Sequence, residues 1–426
     1  MRLRLAALAA LVVVCVVAFP THAADRLTLD DAFARVDQSH PDLRLLQGQR
    51  AVLNADLERA ALRPPWVAGL GVENALGSGE ASGFKRAEIT LSLASVLERG
   101  GKLDARKVLV QSRIDALAVD RESRRLDLLA EVARRYLAIV GAQRQQAVAE
   151  FDIGQRKRTV AGAQQRLQAG ASPESVVLTA QAALARAELD RARAAQRLLS
   201  ARQHLAALWG ERDPKFDVVA GDPLTLPRIN DFAALADLLD RNPELTRFVG
   251  ERRIREARVQ LARSQATPDL DWQVGVRRLQ EVDDFALIGS VSMPLGAGRR
   301  AGPDIRAAEA ELALVEIERE VKGLSLYSTL AEAHGRYRVA QVEVERLQGD
   351  VLPKLAKAEA AAERAYRAGA ISYLEWAQLQ SERTASRKQQ LEAALDAQRA
   401  LIEIQRLTGE AFVAGPAQSS PQGSTP

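Results

Sequence analysis

The strongest constraint on this chain is that it is written twice. His40-Pro41-Asp42-Leu43 recurs as Asn242-Pro243-Glu244-Leu245, Gln168-Ala169-Gly170-Ala171 as Arg367-Ala368-Gly369-Ala370, and Leu208-Trp209-Gly210-Glu211 as Leu407-Thr408-Gly409-Glu410. The three matches keep one order and an offset of about 200 residues. A fold must therefore be found for one unit and used twice.

Within each unit the hydrophobic period changes from helical to strand-like and back. A short helix (about 30–39; about 231–241) stops before a proline, where the preceding residue is pushed out of the helical region. A second helix (about 41–62; about 243–265) ends at Arg63-Pro64-Pro65 or Thr267-Pro268. Then the period becomes 2. Trp66, Ala68, Leu70 and Val72 alternate with Val67, Gly69, Gly71 and Glu73, and Ile89, Leu91 and Leu93 alternate with Glu88, Thr90 and Ser92. In the second copy Leu270, Trp272, Val274 and Val276 alternate with Asp271, Gln273, Gly275 and Arg277. Its return strand puts Phe285, Leu287, Val291 and Met293 on one face and Ala286, Ser290 and Ser292 on the other. Strands of roughly ten residues have the length of a tilted transmembrane β-strand. Trp66 and Trp272 open equivalent strands, where an interfacial aromatic belt would sit.

Each hairpin leads through a glycine-rich turn into a very long helical stretch. Gly100, Gly101, Gly296 and Gly298 are expected to let the chain turn sharply from strand to helix. A phosphate-cradling loop would need Ser or Thr after the lysine, and Lys102 is followed by Leu103. The helical stretches run over about 103–168 and 303–368, roughly 95 Å each at 1.5 Å per residue. Three-four spacing, as in Leu129, Val132, Tyr136 and Ile139, suits a coiled coil. Pro353 predicts a kink. Turns at Gly170 and Gly369 reverse the chain, with Ser172 expected as an N-cap and Pro173 at the first helical position.

The predicted organisation is a leader over 1–23, a first repeat over 24–209, a connector over 210–230, a second repeat over 231–412 and a disordered tail over 413–426. The hairpins fall at about 66–94 and 269–294, the long helical hairpins at 103–208 and 303–408. The leader has Arg2 and Arg4 before an apolar run from Leu5 to Phe19 and small residues at Ala23 and Ala24, the anatomy of a secretory signal peptide. The only cysteine, Cys15, lies inside it, so a mature chain would have no disulfide and no lipid anchor. Losing residues 1–23 removes two arginines and no acid, taking the formal charge from +4 to +2. Acids and bases alternate throughout, which is no nucleic-acid signature. No later segment has ~20 consecutive apolar residues, so no transmembrane helix is expected.

These features define an architecture: mainly α with a small transmembrane β part. Four strands per chain cannot enclose a pore, and in lipid every backbone group must be paired, so several chains must close one barrel. A soluble periplasmic coiled-coil scaffold is the alternative of another class, distinguished by whether the chain enters a membrane. An adaptor protein would flank its helical hairpin with strand-rich domains, which are not seen. Metal ligation lacks an inventory: beyond the leader only His40, His204 and His334 remain, far apart and without cysteine. No nucleophile–base set stands out, so no enzyme, cofactor or resident metal is expected.

The residues that carry this pattern also resemble a family. The duplicated unit, the His40-Pro41-Asp42-Leu43 and Asn242-Pro243-Glu244-Leu245 openings and the tip glycines are similar to the TolC family of outer-membrane efflux proteins. Leu97-Glu98-Arg99-Gly100-Gly101-Lys102 resembles the Leu-Glu-Xaa-Gly-Gly-Lys-Arg stretch of its CzcC-like heavy-metal subgroup. Leu103 stands where that subgroup has Arg, and Ala94-Ser95 where Gln-Pro is common. The resemblance implies a homotrimer in the outer membrane of a Gram-negative bacterium, with a β-barrel in contact with lipid and a long α-helical barrel in the periplasm. A periplasmic adaptor and an inner-membrane RND pump would dock at its tip, and no nucleic acid would be bound. Its cargo would be heavy-metal cations, with drugs or solvents, or type I protein secretion, as alternatives. The pore would close near Glu375, with Glu174 a second candidate. Adaptor contact would fall on Gln168, Ala169, Gly170, Ala171 and Ser172, and on Arg367, Ala368, Gly369, Ala370 and Ser372.

Overall fold

The computed structural model describes residues 26–79, 82–219 and 221–412. The leader over 1–23 and the tail over 413–426 lie outside the described residues.

The chain folds as two copies of one plan. Helix α1 (Leu29–Ser39) opens with a capping box: Thr28 Oγ1 accepts the Asp31 N–H at 3.1 Å, and the Asp31 carboxylate accepts the Thr28 N–H at 3.0 Å. Helix α2 (Pro41–Ala61) starts on a proline, its free N-terminal turn capped by His40 Nδ1, which accepts the Asp42 N–H at 3.2 Å. In the second copy the short helix α5 (Phe232–Asp237) gives way to a 3₁₀ turn at Leu239–Arg241 before α6 (Pro243–Ser264).

The strands are β1 (Arg26–Leu27), β2 (Val67–Glu73), β3 (Glu88–Leu97), β4 (Asp217–Val218), β5 (Leu270–Leu279) and β6 (Asp284–Ser292). Four of them form an antiparallel sheet in the order β2-β3-β5-β6, so the two hairpins join through β3 and β5. The register lines up Leu70, Leu91, Val276 and Leu287 across one face. β2 stops at seven residues, short of the expected ten, because Asn74 and Leu76 adopt left-handed φ values of 53° and 60°. β3 runs past residue 94, since Ser95, Val96 and Leu97 pair with Trp272, Asp271 and Leu270. The apolar face is uncovered: Leu287 is 89% exposed, Leu70 72% and Phe285 70%. Among the described residues the outer edges of β2 and β6 pair with nothing.

Helix α3 (Lys102–Gln168) is unbroken for 67 residues, about 100 Å. Its return helix is α4 (Glu174–Ala206). The second long helix is divided. α7 (Ala297–Arg346) passes through a π turn at Leu347–Val351 into α8 (Leu352–Arg367), and α9 (Tyr373–Thr408) returns. The kink expected from Pro353 is thus a π turn just before it. Proline has no N–H for the carbonyl four residues back, Gly349, and its ring crowds that carbonyl, so the ladder widens there. α7 also begins six residues before the expected Pro303, which lies inside the helix. α3 packs on α2 and α6 near the sheet and on α4 and α9 farther away, while α7 packs on α6 and α9. The helices near the sheet therefore repeat the strand order, α2-α3-α6-α7. Among the described residues no helix is long and apolar enough to cross a membrane.

The connector is more structured than its composition implied. β4 pairs in parallel with β1, Arg26 opposite Asp217 and Leu27 opposite Val218. Tyr136 fixes this clip, donating its hydroxyl to the Leu27 carbonyl at 3.1 Å and the Val219 carbonyl at 2.7 Å. Tyr337, at the matching place on α7, donates to the Pro227 carbonyl. Burial pushes both phenols up to about 12. Core clusters surround each tyrosine, with Val36, Ile139, Leu205 and Val218 at the first and Leu235, Leu330, Ile404 and Leu407 at the second.

Candidate functional site

The residues singled out in the sequence lie along the sheet, at the strand-to-helix junction and at the far helical turns.

On the sheet, Trp66 stands just before β2 and Trp272 lies near the start of β5, and their rings meet edge to face with centroids 5.4 Å apart. The two predicted belt aromatics are thus one pair, at the helix end of the exposed apolar face.

At the junction, Gly100 and Gly101 have φ of +73° and +71°, and Gly296 has +83°. A Cβ on Gly100 would lie 2.6 Å from Thr267 Cβ and 2.9 Å from the Ser264 carbonyl, so a side chain is excluded there twice over. Gly298 differs from the expectation: it lies within the first turn of α7, since Gly296 alone makes the turn. The junction is tied across the repeats. Lys102 Nζ, with a side chain 7% exposed, meets Asp269 Oδ2 at 2.7 Å, and the Arg99 N–H donates to Asp269 Oδ1 at 3.0 Å. Glu98 and Arg106 form a forked pair at 2.5 and 2.8 Å. Burial pushes the Asp269 carboxyl up, but the Lys102 and Arg99 hydrogen bonds outweigh it and hold it below the ordinary carboxylate range.

The two far turns lie side by side. Gln168 ends α3, Ala169 follows, and Gly170 turns the chain at φ +68° while the Ala171 N–H donates to the Arg166 carbonyl at 2.8 Å. Arg367 ends α8, Ala368 follows, and Gly369 turns at φ +80° with the Ala370 N–H on the Ala365 carbonyl at 2.8 Å. Arg166 joins the turns: its Nη1 donates to the Tyr366 carbonyl at 2.8 Å, and its guanidinium lies 4.9 Å from the Tyr366 ring centre.

The two turns restart their helices differently. Ser372 is a true N-cap: its Oγ accepts the Glu375 N–H at 3.3 Å, and the Glu375 carboxylate accepts the Ser372 N–H at 2.8 Å. The Ser372 N–H, with its hydroxyl, holds the exposed Glu375 carboxyl below the ordinary range. Ser172 was expected to do the same. Instead Pro173 occupies the N-cap of α4 with no side-chain cap, and Glu174 is the first helical residue.

A seam of buried polar groups runs behind the turns and was not read in the sequence. Asp152 and Thr159 of α3 face Thr384 and Gln380 of α9, with Thr384 Oγ1 donating to Asp152 at 2.9 Å and Thr159 Oγ1 to Gln380 Oε1 at 2.9 Å. The signal was present as polar residues at helical spacing on one face, but it was hidden by the charges that fill both helices. Among the described residues no group of three or more His, Cys, Asp and Glu could hold a metal ion.

The geometry is that of an open wall with a long helical extension, and comparison with known proteins places it. The model of the outer membrane efflux protein family matches residues 32–211 and 234–410, one match per repeat. The chain belongs to the outer membrane efflux protein family. It is 27% identical over 358 residues to the cobalt-zinc-cadmium resistance protein CzcC of Cupriavidus metallidurans, covering 84% of each chain. Its fold matches CusC with a TM-score of 0.74 at 17% identity, over 89% of this chain and 91% of that one. It also matches VceC of Vibrio cholerae at 0.70 and 17%, over 90% and 97%. As an outer membrane efflux protein it has the TolC-like, internally duplicated architecture. It sits in the outer membrane with its helices extending into the periplasm. The family is one of efflux channels and not of enzymes. The apolar face of the sheet is therefore the lipid face, and the far turns are the periplasmic tip.

Proposed function

We propose that three copies of this chain form a passive export duct for heavy-metal cations, joined at the tip to a periplasmic adaptor and through it to an inner-membrane RND pump. The observation that carries this reading is the open sheet. It has two unpaired edges and an uncovered apolar face, and an edge left unpaired in lipid costs several kcal/mol per lost hydrogen bond. β2 and β6 run in opposite directions, so β6 of one copy meets β2 of the next as an antiparallel pair. Such a head-to-tail contact forms a ring when its rotation closes, and only closure pairs the last free edge in lipid. Three copies of four strands give twelve. The metal cargo follows from the likeness to CzcC. Glu375 of each copy would meet at the tip and form a threefold carboxylate ring, with Glu174 beside it, and the tip turns would meet the adaptor.

The test is to express the whole chain, isolate the outer membrane and look for an oligomer that survives mild detergent and conducts in planar bilayers. A monomer in the soluble periplasmic fraction would overturn the duct. Complementation of a strain lacking its own metal efflux channel decides the cargo: restored growth on zinc, cobalt or cadmium supports metals, and rescue against organic toxicants alone would overturn them. Crosslinking from Ala171 and Ala370 should capture the adaptor.

A further inference from the structure

The inner face of the sheet is mostly small and uncharged along its middle, with Gly69, Gly71, Ser92, Ala94 and Gly275. At its loop end it changes character. The register sets Glu73 directly opposite Glu88, two like charges facing across a ladder, an arrangement that repels. Arg277, from the third strand, is paired with Thr90 and reaches both acids. Its Nη1 meets Glu88 Oε2 at 2.7 Å and its Nη2 meets Glu73 Oε2 at 3.3 Å, while Nε donates to Thr90 Oγ1 at 3.0 Å. Asn74 Nδ2 donates to the other Glu88 oxygen at 3.0 Å. The arginine is therefore fixed on three strands, and one positive charge stands against two negative ones.

We propose that Glu73, Glu88 and Arg277 form a cation-favouring filter at the outer mouth of the duct, with Arg277 setting its strength. The inference rests on the duct reading above, since only a closed barrel turns this face into a lumen. The neutral Arg277–Glu88 pair, at 2.7 Å, already locks β5 to β3. The second carboxylate adds only the looser contact, to the edge strand, at the cost of repulsion from Glu88, and it leaves this cluster with one net negative charge on the wall. In a ring of identical copies those charges add, and their field reaches across the lumen wherever the screening length is long. That length is about 30 Å at 0.01 M salt and about 3 Å at 1 M. A charged rim of this kind raises the local concentration of counter-ions, here cations.

The measurement is the reversal potential of the full-length protein in planar bilayers under a potassium chloride gradient, at low and at high salt. R277Q leaves two uncompensated carboxylates per copy and should raise the cation-to-anion permeability ratio roughly twofold at low salt. E73Q leaves a neutral Arg277–Glu88 pair and should lower the ratio by a similar factor. R277K keeps the charge and should match the wild type, and all differences should vanish near 1 M salt. Conducting wild type, R277Q and E73Q channels with one shared reversal potential would overturn the filter and leave the duct standing. A wild type that never conducts would overturn both. Should R277Q fail to assemble, E73Q decides alone, because Glu73 is exposed on the edge strand and its loss removes only the looser contact.

Discussion

The two repeats share a backbone plan and fasten it by different means. In the first, α2 opens at His40-Pro41-Asp42-Leu43, where the His40 side chain caps the helix and Asp42 is exposed and, among the described residues, makes no ion pair. This repeat is held by the β1–β4 clip, Tyr136 and an apolar cluster. In the second, the matching Asn242 is 4% exposed and does two jobs: Oδ1 caps Glu244, and Nδ2 donates to the Leu407 carbonyl at 2.7 Å. Glu244 then enters an ionic network. It binds Lys322, and it meets Arg406 at 2.8 Å. Arg406 also reaches Asp127 at 3.1 Å and Glu403 at 2.8 Å, and Arg134 meets Glu403 at 2.6 Å. Three acids and three bases from α3, α6, α7 and α9 balance in one place. The lesson is that duplication preserved the helix start while the attachment of that start to its neighbours diverged, from backbone pairing to charge.

The largest effect that could break this contrast is at Arg406. Its side chain is 16% exposed, and Arg406→Met would leave three carboxylates facing two bases. Removing one partner of a largely buried network costs about 2–4 kcal/mol, read as a lower thermal midpoint of the detergent-solubilised oligomer. Asp42→Asn in the first repeat should stay within about 0.5 kcal/mol of wild type. Acid gives the same contrast. Burial pushes the Glu244 and Glu403 carboxyls up, but hydrogen bonds from Lys322 and Arg406 at the first, and from Arg406 and Arg134 at the second, hold both below the ordinary range. A carboxyl lowered on folding gives its full stabilisation above its unfolded pKa, about 4.3, and loses it as pH falls through the folded value. The gap between wild type and Arg406→Met should therefore be flat above about pH 5 and narrow below about pH 4. A gap of equal size at pH 3 and pH 7 would show that ionisation is not its source.

A smaller contrast lies at the strand-to-helix junctions. Gly100 is enclosed by Thr267 and Ser264, whereas a Cβ on Gly296 meets nothing within 4 Å. Both hold positive φ, which costs a non-glycine residue about 1–2 kcal/mol. Gly296→Ala should show that cost alone. Gly100→Ala adds the collision and should lose about 1 kcal/mol more, with less protein reaching the outer membrane. Equal losses at the two positions would mean that the first junction can move aside, and that the Lys102–Asp269 tie does not hold it.

Much of this was legible in the sequence, for reasons that also mark where legibility stops. The strands showed because lipid on one side and lumen on the other force a strict period of two, visible at Leu70, Leu91, Val276 and Leu287. The helix starts showed because proline and the capping residue before it act within three or four positions. The β1–β4 clip did not show: two residues carry no periodicity, and their partners lie about 190 positions away. The Arg406 network was hidden because acids and bases alternate along every helix, and only packing selects six of them. Pro353 announced a break but not its form, since the widened π turn falls on the residues whose carbonyls the ring would crowd. Ser172 and Ser372 show the same limit. Both precede a helix after a tip glycine, but the following proline at 173 takes the cap in one case, and Glu375 completes a capping box in the other.

That last difference gives the smallest and sharpest test, because Glu375 stands in two roles: it caps α9, and it is the proposed pore carboxylate. The roles separate by substitution. Ser372→Ala removes the cap and should cost about 1 kcal/mol of stability, whereas Ser172→Ala, whose hydroxyl caps nothing, should cost almost none. Glu375→Gln keeps a side chain that can still accept the Ser372 N–H, as glutamine does in other capping boxes, but removes the charge. It should leave the thermal midpoint in place and reduce cation preference or raise single-channel conductance. Glu375→Ala should do both. If Ser372→Ala alters conductance as much as Glu375→Gln does, the tip responds to helix fraying and not to carboxylate charge, and the threefold ring falls. If Glu375→Gln shifts selectivity while Ser372→Ala does not, the asymmetry between the two tips is functional, and the second repeat alone supplies the gate.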